Sequence, residues 1–440
     1  MIEERLEKKE MIVEPSISLF RGHKFLEYVD YKQFKEVVEK ELSFKAISGE
    51  PFDQFYSRFL ENHRHKQNDF DKIFFENILY GQLKNVYVSK IKGSVQYTPK
   101  NFRTAVKLLI KDINIDNPII PVNYHDSMSE KGFYLMDSLS IGVSGTKFIA
   151  GFDYKTDKDK VTNARFLFVE VVPRKNETEA YFLAGVEIDF TNQVYLIMVR
   201  NLVGIEKSDG NESLWDSSIN SLYKKINETI LKYLRIAGYV DVNTDRGGMF
   251  KMCEELDTML LKDIREEVNK KVHRKIGIFT NEIFNTLFMD ESVPTFEKQV
   301  VTEKLQALLL GSYINIRIKG DSLRKKAKDL NLIGYPTRIN FKSNKASQSS
   351  TKSSDKSRPI ASSEMFHSLY IDFKQAVALP YWSLSWFSDY KHLTNDHKDV
   401  IQTTIVSTST YFKVVFLARR HLDKEFFHYV IETINRYRGY

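Results

Sequence analysis

Residues 311–360 hold twelve lysines and arginines against three aspartates and no glutamate, a local balance of +9 in a chain whose net charge is +7. The other 390 residues therefore sum to −2. A cationic stretch on a near-neutral chain suits a polyanionic partner, and nucleic acid is the commonest one. Residues 321–332 predict a short helix. At 100° per residue Leu323, Ala327 and Leu330 share one face, and Arg324, Lys325 and Lys328 point the other way. Arg317 and Lys319 precede this helix, on a stretch (313–318) whose alternation reads as a strand. Arg338 and Lys342 follow it on a second predicted strand, 335–341. Lys345, Lys352, Lys356 and Arg358 lie in a Ser- and Lys-rich run, 343–363, which reads as a flexible loop. Helix, strand, basic flexible loop and a further apolar element follow the order of a winged-helix architecture, in which a helix enters a groove and the loop follows the backbone.

Two further groups bear on the same chemistry. Arg419, Arg420, His421, Arg436 and Arg438 form a second basic cluster, though cations at 436 and 438 also suit the end of a helix. Trp382, Leu384 and Trp386 share one face of a predicted strand, where aromatics either stack on bases or fill a core.

Catalytic constellations are weaker. Asp153, Glu170, Glu187 and Asp189 are the carboxylates best placed for a divergent Mg²⁺-dependent nuclease, but no lysine stands two residues after either glutamate. The spacing favours polar residues on the solvent face of a half-exposed sheet. No P-loop, dinucleotide fingerprint or nucleophile elbow is present. His63 and His65, and His392 and His397, lack the further ligands that zinc needs. Cys253, the single cysteine, falls in a predicted helix with no base beside it. No catalytic residue, metal or cofactor is therefore assigned.

The elements that must hold these residues divide the chain five ways. Residues 1–125 read as mainly helical, with phenylalanine stripes at helical spacing. Residues 126–205 read as an antiparallel meander or small barrel, with turns at 157–160 and 189–193. Residues 206–310 read as helices, including 217–237, 248–271, 281–289 and one opening at Pro294. Residues 311–375 form the basic module, and 376–440 an α/β tail ending in a helix, 423–437. The fold class expected is α+β with several domains.

Composition agrees with this. The 440 residues are 42% hydrophobic and 28% charged, which suits a globular chain. No run reaches the roughly 18 apolar residues of a spanning helix, and the charged start resembles no secretory signal. The reading is a cytoplasmic protein that does not act at a membrane. Lysine outnumbers arginine 45 to 20, a bias of AT-rich genomes that suggests a bacterial plasmid, phage-related or antiviral defence setting. The function expected is non-enzymatic binding of nucleic acid, DNA first, by a chain able to form a homo-oligomer or meet a partner protein. The alternatives are the nuclease and a protein-interaction subunit of a larger complex.

Overall fold

The structure is a computed structural model that describes residues 20, 22–93, 95–113, 132–135, 143–174, 177–200, 218–289, 293–318, 320–342, 348–353, 355, 358–390 and 400–439.

Apolar side chains three and four residues apart make the first helices. In α1 (Tyr31–Leu42) they are Phe34, Val38 and Leu42, and Asp30 caps the start by accepting the amides of Lys32 and Gln33. Helices α2 (Phe52–His63) and α3 (Gln67–Gln82) continue the pattern. Phe20, Phe34, Phe52, Phe55, Phe70 and Phe74 meet there edge-on or tilted. These arrangements suit the charge distribution of aromatic rings.

Inside the region expected to be helical lies a strand, β1 (Asn85–Ile91), buried on both faces. Helix α4 (Pro99–Ile113) follows. The meander is β2 (Lys147–Asp157), β3 (Lys160–Arg174), β4 (Glu177–Asp189) and β5 (Val194–Val199). Its last turn closes as the sequence suggests: the Asp189 carboxylate accepts the amides of Thr191 and Asn192. It does not close into a barrel, because β5 continues onto β1 instead of returning to β2.

Next come α5 (Ile219–Leu234), the two-residue β6 (Gly238–Tyr239) and a single 46-residue helix, α6 (Val242–Leu287). The two helices expected at 248–271 and 281–289 are thus one. Helix α7 (Thr295–Arg317) absorbs the strand expected at 313–318, since Ile314 falls one turn after Leu310 on the buried stripe. Helix α8 (Gly320–Asp329), β7 (Gly334–Lys342) and β8 (Gln348–Lys352) complete the cationic segment. Part of the expected loop is therefore a strand: residues 348–352 pair with 338–342. Short helices α9 (Glu364–Ser368) and α10 (Tyr370–Ala376) precede β9 (Tyr381–Phe387), β10 (Val400–Ser407), β11 (Phe412–Phe416) and α11 (Lys424–Tyr437).

The strands form one antiparallel sheet in the order β2-β3-β4-β5-β1-β11-β10-β9-β7-β8, with β6 beside β1. The fold is α+β. One core runs along the back face, where α1–α3, α6 and α11 pack on Val86, Leu167, Leu183, Val414, Leu384 and their neighbours. Trp382 and Trp386 belong to it and are fully buried, with the Trp386 indole N–H donating to Thr403 Oγ1. They are core residues, not stacking platforms. A second core lies on the front face, where α4 and α5 cover β2–β5 and β1.

Both halves of the sheet meet at a buried ion pair. Arg438, directly after α11, sends Nε and Nη2 to the Asp245 carboxylate in the first turn of α6, at 2.8 and 3.2 Å. Its Nη1 donates to Asn435 Oδ1, Nη2 also reaches the Val88 carbonyl of β1, and the guanidinium lies 3.7 Å from the Phe412 ring of β11. Arg438 is therefore no surface cation. At Gly248 of α6 a Cβ would stand 2.2 Å from the Tyr437 carbonyl, so only glycine permits this approach. Removing one member of a buried pair strands the other. Arg438→Ala should lower unfolding free energy by about 3–5 kcal/mol in urea titrations. The Asp245→Leu/Arg438→Met double variant should recover most of that loss.

Candidate nucleic-acid interface

The cationic segment is mounted on the end of α7, on α8 and on the β7–β8 hairpin. Leu323 and Ala327, both fully buried, dock α8 against β7 and α6. The helix ends at Asn331, whose φ of 53° is left-handed, and Leu332 then takes up the apolar stripe while Leu330 is exposed.

That phase turns one expected contact inward. Lys328 is buried, its ammonium 3.4 Å from the Asp389 carboxylate and 6.0 Å from the Phe387 ring. Arg324, Lys325 and Lys328 therefore do not project together: Lys325 is exposed, and Arg324 is half-buried against the Tyr335 phenol. Lys326 pairs with Asp263. Arg317 is exposed at the end of α7, within the field of Glu267. Lys352 and Arg358 are exposed. Lys319, Lys345 and Lys356, and the side chain of Lys342, lie outside the described residues.

The structure brings Arg338 and Lys352 together. They stand directly opposite each other across β7 and β8, and Arg338 faces Ser383 of β9 on its other side. Like charges at such a position repel, unless an anion lies between them. The Arg338 guanidinium sits 4.7 Å above the Tyr381 ring and donates from Nη1 to its hydroxyl at 3.2 Å. Its Nε is buried without a partner among the described residues.

The same front face continues across β9, β10 and β11. Register places Asn340 and Ser350 beside Tyr381, Ser383 beside Thr404, Ser385 beside Gln402, and Lys413 beside Val406. Ser383 and Thr404 share a hydrogen bond at 3.1 Å, and Gln402 donates to Thr337 Oγ1 at 2.7 Å. Val406 and Val415 point to this face and join neither apolar core. Among the described residues, helices α4 and α5 pack on the other half of the face. The five strands β7–β11 contain no Asp or Glu at all, and carry Arg338, Lys342, Lys352 and Lys413. Tyr381, Gln402, Thr404 and Lys413 are the residues that a search for basic runs missed. The signal was the alternation of these strands together with their lack of acids.

The second basic cluster disperses. Arg419 and Arg420 are exposed, Arg436 bonds to Thr433, and Arg438 is the buried residue described above.

Asp153, Glu170 and Glu187 are tied up in internal pairs, Asp189 caps an exposed turn, and the four are not gathered for a metal. Asp153 faces the back, holding Arg165 in a two-pronged contact and accepting from Tyr134 at 2.9 Å. Arg165 also meets Glu76 of α3, which pairs with Lys424 of α11 at 2.8 Å. Glu170 is on the front, 3.6 Å from Lys225 of α5. A metal cannot bridge Asp153 and Glu170 across a sheet. Among the described residues, no three His, Cys, Asp or Glu side chains group as metal ligands. Cys253 is fully buried, which pushes its thiol well up. No described helix is long and apolar enough to cross a membrane. Comparison with protein families, curated proteins and solved structures finds no match.

Glu187 and Asp189 line a cleft of about 580 Å³ between β4–β5 and α11. There Glu187 accepts from Tyr80 at 2.9 Å and meets His428 Nε2 at 3.1 Å, while His428 Nδ1 faces the Lys424 carbonyl at 3.0 Å. Burial pushes the Glu187 pKa up, but His428, Tyr80 and Arg165 outweigh it and hold it at about 2. Burial pushes His428 down, and Glu187 outweighs that and raises it above the ordinary 6.5. Acceptors at both nitrogens favour the protonated ring, which makes His428 and Glu187 a structural ion pair. Because the folded pKa of His428 is raised, its stabilisation is full below pH 6.5 and fades as pH climbs through the raised value. Glu187 acts oppositely, losing its share as pH falls from 4.5 toward 2. His428→Gln should therefore lower stability by about 1.5–3 kcal/mol near pH 6 and flatten the decline at higher pH, as read by thermal unfolding across pH.

Proposed function

We propose that this chain is a non-enzymatic nucleic-acid-binding protein, with DNA as its first ligand. Its contact surface is the front face of β7–β11 with the β7–β8 hairpin, and the exposed cations of α8 lie at its margin. The carrying observation is the acid-free half-sheet, whose front face carries Arg338, Lys352 and Lys413 among short serine and threonine side chains, asparagine, glutamine and tyrosine, with Lys352 exposed and Arg338 and Lys413 half-buried. The other strands differ: β2, β3 and β4 hold Asp153, Asp157, Glu170, Glu177, Glu179, Glu187 and Asp189. One end of a single sheet is thus suited to phosphate and the other is not.

The bound phosphate lies between Arg338 and Lys352 and relieves their mutual repulsion. Hydroxyl and amide side chains on the neighbouring strands donate to further oxygens, and Tyr381 offers a ring to a base. Lys325 and Arg358 extend the field at the rim. The order of α7, α8, β7 and β8 supports a winged-helix-like module: two successive helices, then a hairpin with a basic connection. In that module Lys342, Lys345 and Lys356 follow the backbone. The excess of lysine over arginine supports a bacterial plasmid, phage-related or defence setting, in the cytoplasm. No arrangement of the meander carboxylates favours the nuclease.

Fluorescence anisotropy with labelled duplex DNA, single-stranded DNA and RNA tests this across about 50–200 mM salt, with and without Mg²⁺. Affinity should fall steeply with salt, and the strands should stay intact. Arg338→Glu/Lys352→Glu should weaken binding at least about tenfold and make the log–log salt slope shallower by about two, with the circular dichroism spectrum unchanged. Binding at native strength by the double variant overturns the assignment of this face. Cleavage with Mg²⁺ overturns the non-enzymatic reading.

A further inference from the structure

Helix α6 outruns the body it packs on. Its first half, through Val268, is buried at nearly every turn and contributes Met249, Cys253, Leu256, Leu260 and Leu261 to the core. After Val268 its buried residues reduce to Ile276, Thr280 and Phe284, one narrow stripe. This stripe faces α7: Gln306 meets His273 at 2.8 Å, and the Lys298 ammonium lies 6.0 Å from the Phe284 ring. The C-terminal half of α7 is held by α9 and α10. The outer half of the pair is a two-helix arm, about 28 Å long at about 1.5 Å per residue.

The tip of this arm is apolar and open. Phe279 is 54% exposed, Leu287 70%, Met289 81% and Phe296 67%, and Ile283 and Phe288 are also exposed. A two-helix pair has one seam, so apolar residues beyond it need another partner. Taken at about 200 Å² per large side chain, these six expose on the order of 700 Å². That is close to the roughly 800 Å² one partner contributes to a stable interface, and exceeds what scattered apolar residues on a monomer present.

Charge identifies the occupant. Between Ile276 and Met289 the only charged residue is Glu282, Asp290, Glu291 and Glu297 follow in sequence, and Lys270, Lys271, Arg274 and Lys275 lie at the base of the arm. Arms that overlap about a two-fold axis run antiparallel, so the acidic stretch of one copy lies toward the basic base of the other. We infer that the chain forms a homodimer through its arm tips, which overlap as a four-helix bundle around a two-fold axis and hold the two bodies apart. This inference does not depend on nucleic-acid binding.

Light scattering and small-angle X-ray scattering of the full chain test it at micromolar concentrations. The expected particle has twice the chain mass of 51.5 kDa and an elongated, two-lobed profile. Leu287→Lys/Met289→Lys should be monomeric at the same concentrations. Its circular dichroism spectrum should match that of the native chain, and its unfolding midpoint should no longer depend on protein concentration. A monomeric native chain overturns the inference, whatever else its tip then captures. So does a dimer that persists in the double variant, or one with a compact profile, because either places the contact elsewhere.

Discussion

Arg438 joins parts of the chain that are remote in sequence. Its guanidinium touches β1, β11, the start of α6 and the end of α11. A fully buried arginine is tolerable only if its charge and its donors are all met. Asp245 supplies the charge, Asn435 and the Val88 carbonyl accept the remaining donors, and Phe412 covers the guanidinium face. This requirement fixes the start of α6 against the centre of the sheet, and Gly248 allows the helices to close on it. The two halves of the sheet, built from strands far apart in the chain, are aligned by the same contact.

The sheet that results has unequal halves. Its first half has helices on both faces, and its inward charges have partners: Asp153 and Glu76 with Arg165, Glu170 with Lys225, Glu187 with His428. Its second half has an apolar core only on the back. On the front, short polar side chains lie between larger ones and leave cations opposite each other without an acidic partner in the strands. Natural sheets seldom leave such a surface without a use, since like charges across a ladder weaken it. The polar face thus departs from what stability alone favours, as functional surfaces do.

Much of this architecture is legible in the residues themselves. Phe34, Val38 and Leu42 repeat at 3.6 residues and form a helix. Asp189, Asn192 and Gln193 mark a turn, and a turn is what forms. Trp382, Leu384 and Trp386 alternate with serines, so their size marks one face of β9 as apolar, and that face is core. Errors arose where distant residues decide. Tyr-Ile-Asn-Ile-Arg-Ile at 313–318 alternates like a strand, yet α9 and α10 reward its helical face. Residues 348–352 are mostly serine and threonine and extend only because β7 provides a ladder. Lys328 looked like a surface cation because its partner, Asp389, is 61 positions away. The basic excess was visible in composition. The acid-free face was not, because it combines five strands that only the fold makes neighbours.

Helix α6 has no proline and no break over its 46 residues. Kinks need such a cause, and a helix without one bends only gently. Its inner end is clamped at Asp245 and its outer end is the arm. The arm holds one glycine, Gly277, in otherwise continuous helix, so a load on the tip passes along it to the centre of the sheet. Such a strut sets a reach: whatever is attached at its far end stands off from the polar face by the length of the arm.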